Sequence, residues 1–280
     1  MAPFALGWLG WRRLERGFRP ANAELALFEG LELVRGPKRV LAVTAHPDDL
    51  EALAGGTLRL MALSGSEIHV AVLSDGRQQS NWRSNLGQIR KLEEEHAANI
   101  LGYSRVHYLG FRDLSLSRIP ELGPALESLW DNVKPEVLFT FDPSFPEPYI
   151  VHPDHLTAGR IVLDIVRTRP DVAVYFYGTS DTSVIVDISP VIHDKSQAVL
   201  AHRSQLQAPP AVYSLLMRVY AWLRGRPVQL KSAEGFRVLS LENLTARSSR
   251  GQWIPGGRSE KINSPPQAGS ARRRTRCERF

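Results

Sequence analysis

Arg39–Leu58 reads RVLAVTAHPDDLEALAGGTL. Val40 to Ala45 is a short apolar run with two valines and a threonine, which predicts a buried strand, and it halts at His46-Pro47-Asp48-Asp49. From Leu50 the period changes. Leu50, Leu53, Ala54, Thr57, Leu58 and Met61 fall three and four apart, so a helix follows almost at once. Pro47 suits the first turn of that helix, where its fixed φ and missing N–H are tolerated. An imidazole and two acids are thereby gathered at the C-terminal mouth of a strand, beside a helix N-terminus that favours negative charge. In open α/β sheets ligands bind at that edge.

Within the turn, His46 and Asp49 are three apart and share one side, while Asp48 must point elsewhere. An imidazole with a carboxylate suits zinc and neighbouring divalent ions, but a catalytic zinc needs a third protein ligand. Val151-His152-Pro153-Asp154-His155 offers it. That segment follows a second apolar strand, Val137 to Phe141, and a Pro-rich loop, Asp142 to Tyr149. It opens a helix with Leu156, Ile161, Val162, Ile165 and Val166 on its apolar side. A single HPDD is weak evidence, because acidic turns before helices are common caps. Two segments built on one plan are much stronger.

These segments, with Lys195, Ala198, His202, Ser204 and Gln205 in DKSQAVLAHRSQ, LSDGR at Leu73–Arg77 and YLGFRD at Tyr108–Asp113, resemble the LmbE/PIG-L family of metal-dependent N-acetylglucosaminyl deacetylases. The resemblance runs from Arg39 to Gln207. It implies zinc or another divalent metal held by His46, Asp49 and His155, with Asp48 as general base. It also implies His152 as the group that steadies the oxyanion and is placed to protonate the leaving amine, with Asp154 orienting and charging that histidine. The implied substrate is a small amino-sugar conjugate, N-acetylglucosamine carried on an aglycone that differs among family members. Many members read HPDDE, whereas here Leu50 intervenes before Glu51, which weakens only a role for Glu51. Arg77, Arg112 and Asp113 follow strand ends on the side of the site and are the expected substrate-binding residues. A metal-dependent hydrolase of another amide or ester bond and a non-catalytic binding module are the alternatives.

Strands are further expected at Glu67–Leu73, Val106–Leu109, Val172–Tyr177 and Val184–Ile188, with helices at Ala23–Leu33, Ser84–Leu101, Glu121–Val133, Ala211–Arg226 and from Ser189-Pro190 onward. In the helix from Ser84 the expected inner side is Leu86, Ile89, Leu92, Glu93, His96, Ala97 and Ile100, with His96 in the core or at its boundary. In the helix from Ala211 it is Val212, Leu215, Leu216, Val219 and Leu223, flanked by Arg218, Arg224 and Arg226. Strand and helix alternate, so the fold class is α/β: a Rossmann-like, mostly parallel sheet with helices on both faces. Gly55-Gly56 is no nucleotide fingerprint and is better explained by close packing.

The organisation expected is an N-terminal extension at 1–37, a deacetylase domain at 38–240 and a disordered basic tail at 241–280. The chain has 280 residues, 43% hydrophobic, and no apolar run near the roughly 20 residues of a membrane span. Its single cysteine, Cys277, excludes an internal disulfide, and a cytoplasmic location is expected. The net charge of +6 resides in the tail: Leu241 to Phe280 holds nine Lys and Arg against three Asp and Glu, and the rest is balanced. No nucleic-acid partner is therefore expected. Trp8 and Trp11 with their neighbouring arginines, and Tyr213, Tyr220 and Trp222 with theirs, suit peripheral contact with a membrane or a homo-oligomer interface.

Overall fold

Apolar runs that end in polar turns, each followed by a helix, give strands that must run parallel and be covered on both faces. In the computed structural model, residues 18–76, 85–169 and 171–239 are described. Arg77, the tryptophans at 8 and 11, and the basic tail lie outside them. The strands are β1 (Arg39–Thr44), β2 (Glu67–Ser74), β3 (Arg105–Phe111), β4 (Val137–Phe141), β5 (Ala173–Tyr177), β6 (Val184–Asp187) and β7 (Ala233–Leu239). They form one sheet in the order β3-β2-β1-β4-β5-β7-β6. The first five are parallel, and β7 runs antiparallel to both its neighbours. From β1 the chain winds outward through β2 and β3, then returns to β4 on the other flank of β1. The switch point thus lies between β1 and β4.

The helices are α1 (Ala23–Val34), α2 (Asp49–Leu53), α3 (Gly55–Leu63), α4 (Leu86–Leu101), α5 (Leu122–Val133), α6 (Pro153–Val166), α7 (Ile192–Ala201) and α8 (Pro210–Gly225). On one side α3, α4 and α7 pack together, while α5 and α6 meet over β1, β2 and β4. Among the described residues no helix is long and apolar enough to cross a membrane. α1 is capped by the Asn22 side chain, which accepts from the Leu25 N–H, and it lies directly on β6. Gly30 makes that approach: a Cβ there would stand 1.9 Å from the Ile185 carbonyl oxygen.

The helix expected after HPDD is two helices, broken at Ala54. Pro47 precedes them rather than joining the first turn, and Asp48 takes the N-cap position with φ 95°. The break has a physical cause. Glu234 of β7 accepts from Gly56 N (2.9 Å) and Thr57 N (2.7 Å), so a carboxylate sits at the α3 N-terminus where the helix dipole favours it. Lys195 of α7 pairs with Glu234 (2.5 Å) and donates to the Ala52 carbonyl (2.8 Å) at the end of α2. Gly56 fits because a Cβ would lie 2.9 Å from Ile188.

Two helix faces differ from expectation. The buried side of α4 is Leu86, Arg90, Glu94, Ala97, Ala98 and Leu101, leaving Leu92 and His96 exposed. Two charged residues occupy core positions there, which rotates the buried face away from the apolar stripe. In α8 the buried residues are Tyr213, Ala221, Arg224 and Gly225, while Val212, Leu215, Val219 and Trp222 face outward. Arg224 turns that helix inward. Its guanidinium pairs with Glu147, bonds Thr182 and the Thr179 carbonyl, and lies 3.9 Å over the Phe18 ring.

The Lys195–Glu234 pair is fully buried, so Glu234→Ala leaves an ammonium without its partner and a helix end without its cap. A loss of about 3–5 kcal/mol of unfolding free energy is expected by urea denaturation. A loss below about 1 kcal/mol would show that the pair does not pin the helix break.

Candidate active site

β1 and β4 are neighbours in the sheet, so the turns after them open into one crevice. Asp49, the first residue of α2, is its hub. Oδ2 accepts from His46 N (2.8 Å) and Thr44 Oγ1 (3.2 Å) and lies 3.3 Å from His46 Nδ1, while Oδ1 lies 3.2 Å from His155 Nε2. The outer nitrogens are tied as well. His155 Nδ1 donates to the Ile150 carbonyl (2.7 Å), and its ring stacks on Phe141 at 3.9 Å between centroids. His46 Nε2 is 3.0 Å from Asp113 Oδ1 and 3.8 Å from Asp154 Oδ2. Each imidazole is thus held so that its inner nitrogen faces Asp49. Two imidazoles and a carboxylate with supported outer nitrogens fit a catalytic divalent ion of the zinc type.

His152 stands beside this set, with ring centroids 4.9 Å from His46 and 5.0 Å from His155. Ligand nitrogens of the three histidines come within 4.8 Å of one another. His152 is the N-cap of α6, and its Nδ1 accepts from Asp154 N at 3.2 Å, so in the neutral ring the proton is on Nε2. Asp154 touches His152 through that backbone group. Its carboxylate accepts from Leu114 N (2.7 Å) and reaches toward His46.

Charge follows geometry. Burial works against an imidazolium at His46, but Asp49, Asp113 and Asp154 outweigh it and hold its pKa well above the ordinary value. Burial likewise opposes the Asp49 carboxylate, yet His155 and His46 keep it well below the usual range. His152 is pushed the other way, downward, by burial and then by His46 and His155. Asp154, expected to charge this ring, acts upward against those larger effects. Asp48 is pushed up to about 6 by burial, with Arg90 pulling against it.

Of the residues expected to bind substrate, Arg112 is exposed and Arg77 lies outside the described residues. Asp113 is 2% exposed, and its carboxylate bonds His46. Sequence reasoning missed Arg90, which bonds Asp48 Oδ1 at 2.9 Å, and Glu94, which with Glu51 faces His202. The signal available was their four-residue spacing on one helix side, obscured by the apolar stripe beside it.

Comparisons with known proteins give the chain's relatives. The family described as "PIG-L: GlcNAc-PI de-N-acetylase" matches residues 41–166. Diacetylchitobiose deacetylase of Thermococcus kodakarensis is 32% identical over 226 residues, spanning 72% of this chain and 83% of that protein. A probable N-acetyl-alpha-D-glucosaminyl L-malate deacetylase 2 of Bacillus cereus is 31% identical over 191 residues, spanning 61% of this chain and 85% of that protein. The solved structure of N,N'-diacetylchitobiose deacetylase from Pyrococcus horikoshii aligns with a TM-score of 0.68 at 25% identity, over 86% of this chain and 95% of that one. With its strand-end turns, its sheet and its sequence all in agreement, the chain belongs to the PIG-L (LmbE-like) family.

Proposed function

We propose that this protein is a metal-dependent N-deacetylase that removes the acetyl group from an N-acetylglucosamine-containing conjugate. The observation that carries the reading is a two-histidine, one-carboxylate set, His46, Asp49 and His155, with a separate carboxylate, Asp48, in the same turn. When bound there, a divalent ion, zinc in our assignment, supplies Lewis acidity that polarises the amide carbonyl and acidifies water.

The remaining chemistry falls to the chain's own residues. An amide is unreactive because its carbonyl is resonance-stabilised and its amine leaves poorly, so the site must supply a base, an oxyanion partner and a proton. Asp48, ionised at neutral pH with a pKa near 6, takes a proton from the attacking water. His152 Nε2–H is the donor assigned to the developing oxyanion. Since burial and its neighbours favour a neutral His152, the proton that releases the amine is assigned to Asp48, which has just acquired one. Asp154 holds the His152 tautomer from below, and Asp113 and the Ile150 carbonyl orient the two ligand imidazoles. Arg112, exposed beside Asp113, and Arg77 are the side chains assigned to sugar hydroxyls or an anionic aglycone.

A panel of N-acetylglucosaminyl conjugates, including diacetylchitobiose and the malate and inositol glycosides, tests the reading by assay for newly freed amine in the zinc-loaded protein. Release from at least one is expected. No amine from any, with an ester or another amide cleaved instead, would replace it with the alternative hydrolase. His155→Ala should lose the metal, measured by elemental analysis; full retention would remove His155 from the ligand set. Asp48→Asn should keep the metal and lose about 10²–10⁴ in kcat. Loss of metal together with activity would exchange the roles of the two aspartates.

The outer face of α8 supports a second partner. Val212, Leu215, Val219 and Trp222 form an exposed apolar stripe beside exposed Arg218, Arg226 and Lys231, and the sequence has no acid between Asp194 and Glu234. Apolar side chains flanked by these positive charges complement an anionic lipid surface. We assign peripheral contact of a cytoplasmic enzyme with such a surface. Flotation should recover the protein with phosphatidylglycerol-containing vesicles but not with phosphatidylcholine alone, and Trp222→Glu should abolish recovery. A dimer in sedimentation that Trp222→Glu dissociates, without flotation, would assign the face to a second copy instead.

A further inference from the structure

Arg90 lies on α4, outside both strand-end motifs, yet it is 1% exposed and its side chain ends under the site. Nη2 donates to the Pro47 carbonyl (2.5 Å) and to Asp48 Oδ1 (2.9 Å), and Nη1 donates to the Gly76 carbonyl (3.0 Å). These acceptors belong to two separate loops, the turn after β1 and the loop after β2. One planar group therefore fixes both.

The space for it is built in. Gly76 has φ +59°, and a Cβ there would stand 2.2 Å from Arg90 Nη1, so any larger residue would displace the guanidinium. On the other side, Asp48 sits at φ 95°, a conformation rare for a residue with a side chain, and its carboxylate makes no capping bond within its own turn. Arg90 supplies the restraint that the turn lacks. By holding Oδ1 it leaves Oδ2 as the oxygen able to accept a proton. Lysine cannot reproduce this, because a point charge on a flexible stem has no fork to span three acceptors.

We propose that Arg90 is a positioning residue for the deacetylation reaction. Its guanidinium clamps the Asp48 carboxylate in the orientation that takes the proton from water, and it locks the turn after β1 to the loop after β2. This rests on the reading of Asp48 as the general base.

The test is a double-mutant cycle of Arg90→Lys and Asp48→Asn in the zinc-loaded full chain, with folding checked by circular dichroism and metal by elemental analysis. Arg90→Lys alone should lower kcat by about 10–100-fold, the range seen when an orienting group behind a site is removed. KM should stay within about twofold, and metal content should be unchanged. In the Asp48→Asn background the same substitution should cost nothing further, because the group it positions is gone. Equal losses in both backgrounds overturn the clamp, as do an unchanged kcat in Arg90→Lys or loss of its metal. An Asp48→Asn enzyme with full turnover overturns the base assignment and the clamp with it, a result distinct from additivity. If Arg90→Lys does not fold, Gly76→Ala carries the same cycle, since its added methyl displaces Nη1 while both charged residues remain. A kcat loss absent in the Asp48→Asn background supports the clamp, and an additive loss overturns it.

Discussion

Because β1 and β4 are hydrogen-bonded neighbours running the same way, the turns that follow them have to open toward each other. After β1 the chain leaves toward β2, and after β4 it leaves toward β5, so the two connections diverge at this seam. His46 and Asp49 come from one side of that divide and His155 from the other, so the cluster exists only when the sheet does. Short side chains suffice because the strands bring the backbones close. Asp49, reaching an imidazole on each side at 3.2 and 3.3 Å, spans the gap between the two turns.

Beneath the crevice the interior is unusually polar. Lys195, Glu234, Glu51, Glu94, His202 and Arg90 are all buried, and they link α2, α3, α4, α7 and β7. Burial works against an imidazolium at His202, but Glu51, Glu94 and Asp48 outweigh it and raise its pKa to about 9. Apolar side chains of similar size would often stabilise such an interior equally well, so its charges are best understood by what they orient. Lys195 and Glu234 set where α2 stops and α3 begins. Arg90 sets Asp48. The polar groups occupy places that packing alone would have given to leucine.

That arrangement also explains what was legible in the sequence. Fully buried parallel strands read as continuous apolar runs, so β1 and β4 were found with nearly their observed bounds, and the two strand-end turns followed. β7 was not found. Glu234, Gly235 and Arg237 break its apolar pattern, and the buried faces of Glu234 and Gly235 serve Lys195 and close packing against Thr182. The faces of α4 and α8 were rotated for the same reason. Periodicity assumes that buried means apolar, and Arg90, Glu94 and Arg224 are buried with partners that only the folded chain supplies. Nothing local in YLGFRD tells that the Asp113 carboxylate meets His46.

Arg224 connects two surfaces of the protein that the sequence keeps far apart. It anchors α8 to Glu147, and Glu147 in turn accepts from the Ile150 N–H at 3.0 Å. The Ile150 carbonyl then receives the outer proton of His155. Three consecutive contacts thus join a solvent-facing helix to the His155 imidazole, through the Arg224 and Glu147 side chains and the backbone between Glu147 and Ile150. A load on the outside of α8 would therefore reach the loop whose Ile150 carbonyl orients the His155 ring.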